Sequence, residues 1–92
     1  MGIKELFVVF SDPVRLRMVE LLQERDWTPS RLAEELGLSR PTVTHHLNIM
    51  RRAGVVSCEK RGKEVLCSLE LTVFQELIEF AAKFLKGDKY EV

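Results

Sequence analysis

Apolar residues recur at spacings of three and four along the first half of the chain, and the period changes after Gly54. Ile3, Leu6, Phe7 and Phe10 mark a first helix over about residues 2–10. Ser11-Asp12-Pro13 then places a capping side chain ahead of a proline whose missing N–H does no harm at a helix start. Val14, Met18, Leu21 and Leu22 form the buried stripe of the second helix, which ends near Arg25-Asp26, and Trp27 fits a very short strand. Thr28-Pro29 repeats the start signal for a third helix with Leu32, Ala33 and Leu36 inward, stopped by Gly37 in the left-handed region. Ser39 caps a fourth helix to about Ala53, and Gly54 ends it.

Residues 55–60 and 64–69 are rich in strand formers and flank Arg61-Gly62, the pattern of a β-hairpin. Thr72 with Gln75 three residues on resembles a capping box, opening a last helix from Val73 to about Lys86 before a polar tail. The expected fold is mainly α with a small β-hairpin wing: a winged helix-turn-helix in one domain spanning residues 1–92. The helix-turn-helix falls at about 28–54, the wing at about 55–69, and the terminal helices at about 2–10 and 72–86.

Net charge is zero over 92 residues, but its distribution is not even. Residues 36–63 hold Arg40, Arg51, Arg52, Lys60, Arg61 and Lys63 against Glu59 alone, and no acidic residue occurs from Gly37 to Cys58. A polyanion responds to the local field of the face it meets, so a basic middle on a neutral chain suits nucleic acid. The plainer alternative is a solvated charged patch. In the fourth helix Val43, Leu47 and Met50 share one side, while Pro41, Thr44, His45, Asn48 and Arg52 fall roughly opposite. Short hydroxyls, an imidazole, an amide and a guanidinium can enter a major groove about 12 Å wide and reach base edges. Ser39, Arg40, Thr42, Lys60, Arg61 and Lys63 complete the expected DNA-binding set, the last three at the hairpin tip where phosphates flank a groove.

Three runs carry a resemblance. Ser11 to Arg17 (SDPVRLR), Arg31 to Leu47 (RLAEELGLSRPTVTHHL) and Ala53 to Val56 (AGVV) together resemble the ArsR-type family of winged-helix repressors, over roughly residues 3–85. The resemblance implies a homodimer on operator DNA, with helices at the two chain ends forming the interface. Metal-sensing members place a Cys-x-Cys pair where this sequence has Thr28 and Ser30, and others use Asp and His in the last helix, whereas no histidine occurs from Leu71 to Val92. His45 and His46 are adjacent and diverge by about 100° on a helix, a poor pair for one ion. Neither a metal site nor a cofactor is expected.

Cys58 and Cys67 fall on the two strands of the wing, nearly opposite one another. They read as small hydrophobes lining its inner face, or as a redox-sensitive thiol pair or a disulfide within or between subunits, or as ligands to a shared metal. In the last helix Val73, Leu77, Phe80 and Phe84 form one stripe and Phe74, Ile78, Ala81 and Leu85 a second, more than one core-facing stripe requires. The expected dimer interface is therefore Leu6, Phe7, Phe10, Phe74, Leu77, Phe80 and Phe84. The absence of a catalytic set or a glycine-rich phosphate loop argues against an enzyme. Competing readings are a protein–protein module, or a regulator answering redox state or a small molecule between the dimer helices. Neither a membrane span nor a signal peptide is legible, and a cytoplasmic location is expected.

Overall fold

A computed structural model describes residues 2–86. Helices α1 (Ile3–Phe10), α2 (Pro13–Glu24), α3 (Pro29–Leu36) and α4 (Arg40–Arg52) precede strands β1 (Val56–Arg61) and β2 (Glu64–Leu69), and α5 (Leu71–Leu85) closes the chain. Met1 and the polar tail expected after Lys86 lie outside the described residues.

Three of the helix starts follow from one local device. Asp12 accepts from the backbone N–H groups of Val14 and Arg15, Thr28 from Arg31 and Ser39 from Thr42, and a proline follows each cap or lies two residues on. Each cap satisfies donors that the first helical turn leaves unpaired. Gly37 ends α3 at φ 66°, a conformation that costs a side chain with a Cβ but not glycine. Its N–H reaches the carbonyl of Glu34, and the N–H of Leu38 reaches that of Ala33, fixing the turn between α3 and α4.

The core lies where α1 to α4 converge on the base of the wing. Leu6, Val9, Met18, Leu32, Val43, Met50, Val55 and Cys67 are its fully buried members. Strands β1 and β2 pair antiparallel from Val56↔Leu69 to Arg61↔Glu64, joined by Gly62-Lys63. Trp27 bridges to Cys67 through both backbone hydrogen bonds, 3.0 and 2.7 Å, so the expected short strand forms as a single bridge. The Trp27 indole N–H donates to the Leu21 carbonyl at 2.8 Å, tying the end of α2 to the same point.

The last helix differs from expectation at its start. It opens at Leu71, with Glu70 as a cap whose side chain accepts no N–H of the helix, so Thr72 lies inside the helix instead of capping it. Tertiary contacts set this point: the Glu70 N–H donates to the Val55 carbonyl at 2.8 Å, and its carboxylate accepts from Ser57 Oγ at 2.8 Å. Only Val73 of α5 is buried. The described chain extends 56 × 25 × 21 Å with a radius of gyration of 15.3 Å. A compact chain of this length would have about 12 Å. Helix α5 stands largely uncovered.

Candidate nucleic-acid interface

Helix α4 carries the exposed polar face that its wheel implies. Val43, Leu47 and Met50 are buried, and Pro41, Thr42, Thr44, His45 and Arg52 are exposed, with Asn48 half-buried at the edge. Ser39 and Arg40 stand exposed at its N-terminus, where Ser39 also donates to Thr42 Oγ1 at 2.9 Å. Arg40 Nη1 donates to Ser30 Oγ at 2.8 Å, which holds the guanidinium over the start of α3. Arg40 and Arg52 thus stand at the two ends of α4, and the hydroxyl, imidazole and amide groups lie between them on the helix.

The wing brings the second basic group. Lys60, Arg61 and Lys63 are all exposed, and the turn between them uses Gly62 at φ 62°. Lys63 lines one shallow cleft together with Arg40, Thr28 and Ser30, so the wing and the N-terminus of α4 face the same solvent space. Arg61 Nε lies 3.7 Å from Glu59, both largely exposed. A pair this open is worth little and leaves the guanidinium available to a phosphate.

The second histidine of α4 does not share the outward face of His45. His46 is 9% exposed and points into the molecule, where its Nδ1 lies 3.0 Å from Nη1 of Arg15. Arg15 is itself 7% exposed. Its Nε donates to the Val9 carbonyl at 3.2 Å and its Nη2 to the Val8 carbonyl at 2.8 Å. Burial pushes the His46 imidazole below its ordinary pKa, Asp12 opposes this, and the charges of Arg15 and His45 reinforce it. Burial tends to raise the Asp12 carboxyl, but the N–H groups of Val14 and Arg15, with the Arg15 charge, hold it below its usual range. Sequence patterning overlooks Arg15 entirely, although it falls on the buried stripe with Met18 and Leu22.

In the wing, Cys58 and Cys67 stand directly opposite with Cα atoms 4.1 Å apart, and a disulfide joins them. Cys67 is fully buried and Cys58 half-buried, so of the three readings open from sequence the structure carries the bonded pair. Among the described residues, no group of three or more His, Cys, Asp or Glu could hold a metal ion.

The expected subunit surface divides in two. Leu6 is not a surface residue: it is 1% exposed and packs in the subunit's own core. Phe10, Phe74 and Leu77 also pack against that core, Phe10 and Phe74 with ring centroids 5.9 Å apart. Phe7, Phe80 and Phe84 remain exposed, joined by Ile78 and Leu85 of the second stripe and by Val8, Leu16 and Leu71, which sequence patterning left out.

Comparison with known proteins agrees with this geometry. Residues 12–57 match the family described as bacterial regulatory protein, arsR family. The transcriptional repressor SdpR of Bacillus subtilis is 38% identical over 84 residues, covering 90% of this chain and 93% of that protein. The crystal structure of Rv0081 from Mycobacterium tuberculosis superposes with a TM-score of 0.71 at 32% identity, covering 96% of this chain and 92% of that one. An ArsR-like regulator from Rhodococcus sp. RHA1 shares the fold with a TM-score of 0.85 at 24% identity, covering 95% and 81%.

Proposed function

The chain belongs to the ArsR family of bacterial regulatory proteins, and from that premise we propose that it is a homodimeric, sequence-specific repressor of transcription acting without a metal-sensing site. DNA binding and transcription regulation come with the family, and enzymatic activity does not. One observation carries the finer reading. Thr44, His45 and Asn48 present base-reading groups on one face of α4, bordered by Arg40, Arg52 and the wing cations, with no acidic side chain from Gly37 to Cys58. Thr44, His45 and Asn48 read base edges, while Ser39, Arg40, Pro41, Thr42, Arg52, Lys60, Arg61 and Lys63 seat the protein on the backbone.

The exposed phenylalanines of α1 and α5 support the dimer, because two-fold dimers present paired recognition helices to half-sites about 34–36 Å apart. No helix among the described residues is long and apolar enough to cross a membrane, in keeping with a cytoplasmic regulator. The experiment is selection of a preferred duplex, followed by Asn48→Ala and His45→Ala. Each should cost about 1–3 kcal/mol on the preferred site and little on random duplex. Equal losses on both duplexes would reduce these residues to backbone contacts.

The Cys58–Cys67 disulfide favours one further layer, a redox-responsive regulator. The bond ties together the two strands that support the cationic hairpin tip, and exchange with a dithiol reductant would leave two protein thiols and an oxidised reductant. Oxidised and reduced protein should then differ in affinity for the preferred duplex, and identical affinities would remove redox control.

A further inference from the structure

Arg15 is the one buried cation among the described residues, and a buried guanidinium is tolerated only when its donors are engaged. They are engaged on three sides. Nε and Nη2 hold the carbonyls of Val9 and Val8, in the last turn of α1, where a helix leaves acceptors unpaired and favours a cation. Nη1 meets Nδ1 of His46, on the inner face of α4. Asp12 Oδ2 stands 3.9 Å away and supports the charge from the start of α2. No buried side-chain nitrogen or oxygen among the described residues lacks a partner.

Arginine can only donate, so Nδ1 of His46 must accept, and the imidazole proton sits on Nε2. An imidazolium would turn Nδ1 into a second donor and set two cations 3.0 Å apart. The contact therefore exists only while His46 is neutral. One of the two carbonyls that Arg15 grips belongs to Val8, whose side chain is exposed beside Phe7 on the face assigned above to the second subunit.

We propose that Arg15 is a positioning residue for DNA recognition: it fixes the α4 face by bonding His46 to the end of α1, and so couples the subunit-contact helix to the base-reading helix. This rests on the reading of the chain as a dimeric, base-reading regulator. Thr44, His45 and Asn48 make the contacts, and Arg15 acts through the helix that holds them. Asp12 of the α2 cap favours protonation of His46, and Arg15 of α2 and His45 of α4 oppose it, while α1 brings backbone carbonyls to Arg15.

The test compares the ratio of preferred-site to random-duplex affinity in wild type, Arg15→Lys, His46→Leu and His46→Asn. Arg15→Lys keeps the charge and loses the fork, and His46→Leu loses the acceptor. Each should cut the ratio about tenfold, a coupling of ordinary size, with random-duplex binding little changed. His46→Asn offers an oxygen near the place of Nδ1 and cannot titrate, so it should keep the wild-type ratio at neutral pH. Between about pH 7.5 and 5.5 the wild-type ratio should fall further than that of His46→Asn, which keeps His45 but has lost the buried imidazole. Unchanged ratios in Arg15→Lys and His46→Leu, or the same acid-side fall in His46→Asn, overturn the proposal. Nitrogen NMR of His46 reads the contact without DNA or any variant: Nδ1 should be unprotonated and Nε2 protonated in the native protein. A proton on Nδ1 at neutral pH overturns the contact itself. A wild-type protein with no preference among duplexes would instead overturn the base-reading function, a separate outcome.

Discussion

Replacement of Phe84 by alanine tests the assembly. Phe84 keeps 40% of its surface in solvent and meets Phe80 edge-on, ring centroids 5.2 Å apart. A phenylalanine buries about 150–250 Å² when covered, so a second subunit can remove roughly 80 Å² more from water at each copy. At about 25 cal/mol per Å² this is about 2 kcal/mol per copy, and about 4 kcal/mol across a two-fold interface as an upper figure. Each 1.4 kcal/mol or so is tenfold, so the dimer Kd should rise by roughly two to three orders of magnitude. Phe74→Ala is the contrast, because Phe74 already packs inside its own subunit against Phe10. It should lower the melting temperature more and shift the dimer Kd less. Sedimentation equilibrium over a dilution series reads both. Wild type should weigh about twice the 10.6 kDa of one chain at micromolar concentration. A mass of 10.6 kDa at every concentration, or a Phe84→Ala Kd within about twofold of wild type, refutes the reasoning.

Two further outcomes concern stability. The disulfide spans a sequence separation of nine, for which loop-closure entropy gives about 2–3 kcal/mol, so reduction should lower the melting temperature by roughly 10–20 °C. An unchanged melt in dithiol reductant would show that the bond adds nothing to the fold. Because the fold depresses the pKa of His46, unfolded chains bind its proton first, and stability is lost as pH falls from about 6.5 through the folded value. The melting temperature of wild type should therefore drop more over this window than that of His46→Asn, and equal drops would contradict the neutral, buried imidazole.

The parts of the fold legible in the sequence are those set by neighbours in the chain. Asp12, Thr28 and Ser39 cap helices they adjoin, Gly37 turns the backbone where it stands, and the hairpin follows from two strand-forming runs around Gly62. The start of α5 is not local. Thr72 and Gln75 offer a capping box, but the backbone of Glu70 is pinned by Val55, fifteen positions away in sequence, and that contact wins. His46 shares the helical phase of Val43, Leu47 and Met50, so its burial is legible in position, yet its polar chemistry suggests the outside. What satisfies it is the guanidinium of Arg15, thirty-one positions earlier. Leu6 shows the same ambiguity in reverse: one apolar stripe on α1 serves the core, and the residues beside it, Phe7 and Val8, are left for a partner. The outward polar face of α4 and the cationic hairpin tip are legible in the sequence, because no tertiary partner is needed to place cations and hydroxyls outward.

If α4 and the wing of a dimer grip duplex DNA, binding must weaken steeply with salt. Each subunit presents Arg40, Arg51, Arg52, Lys60, Arg61 and Lys63, all exposed. If about half of these cations across two subunits meet phosphates, log K should fall with log salt at a slope near −5, since each contact contributes about −0.9. Arg61→Ala should flatten that slope by about 2, one contact from each subunit. A slope near zero, or an Arg61→Ala slope identical to that of wild type, would contradict the account and point to a winged helix used against protein.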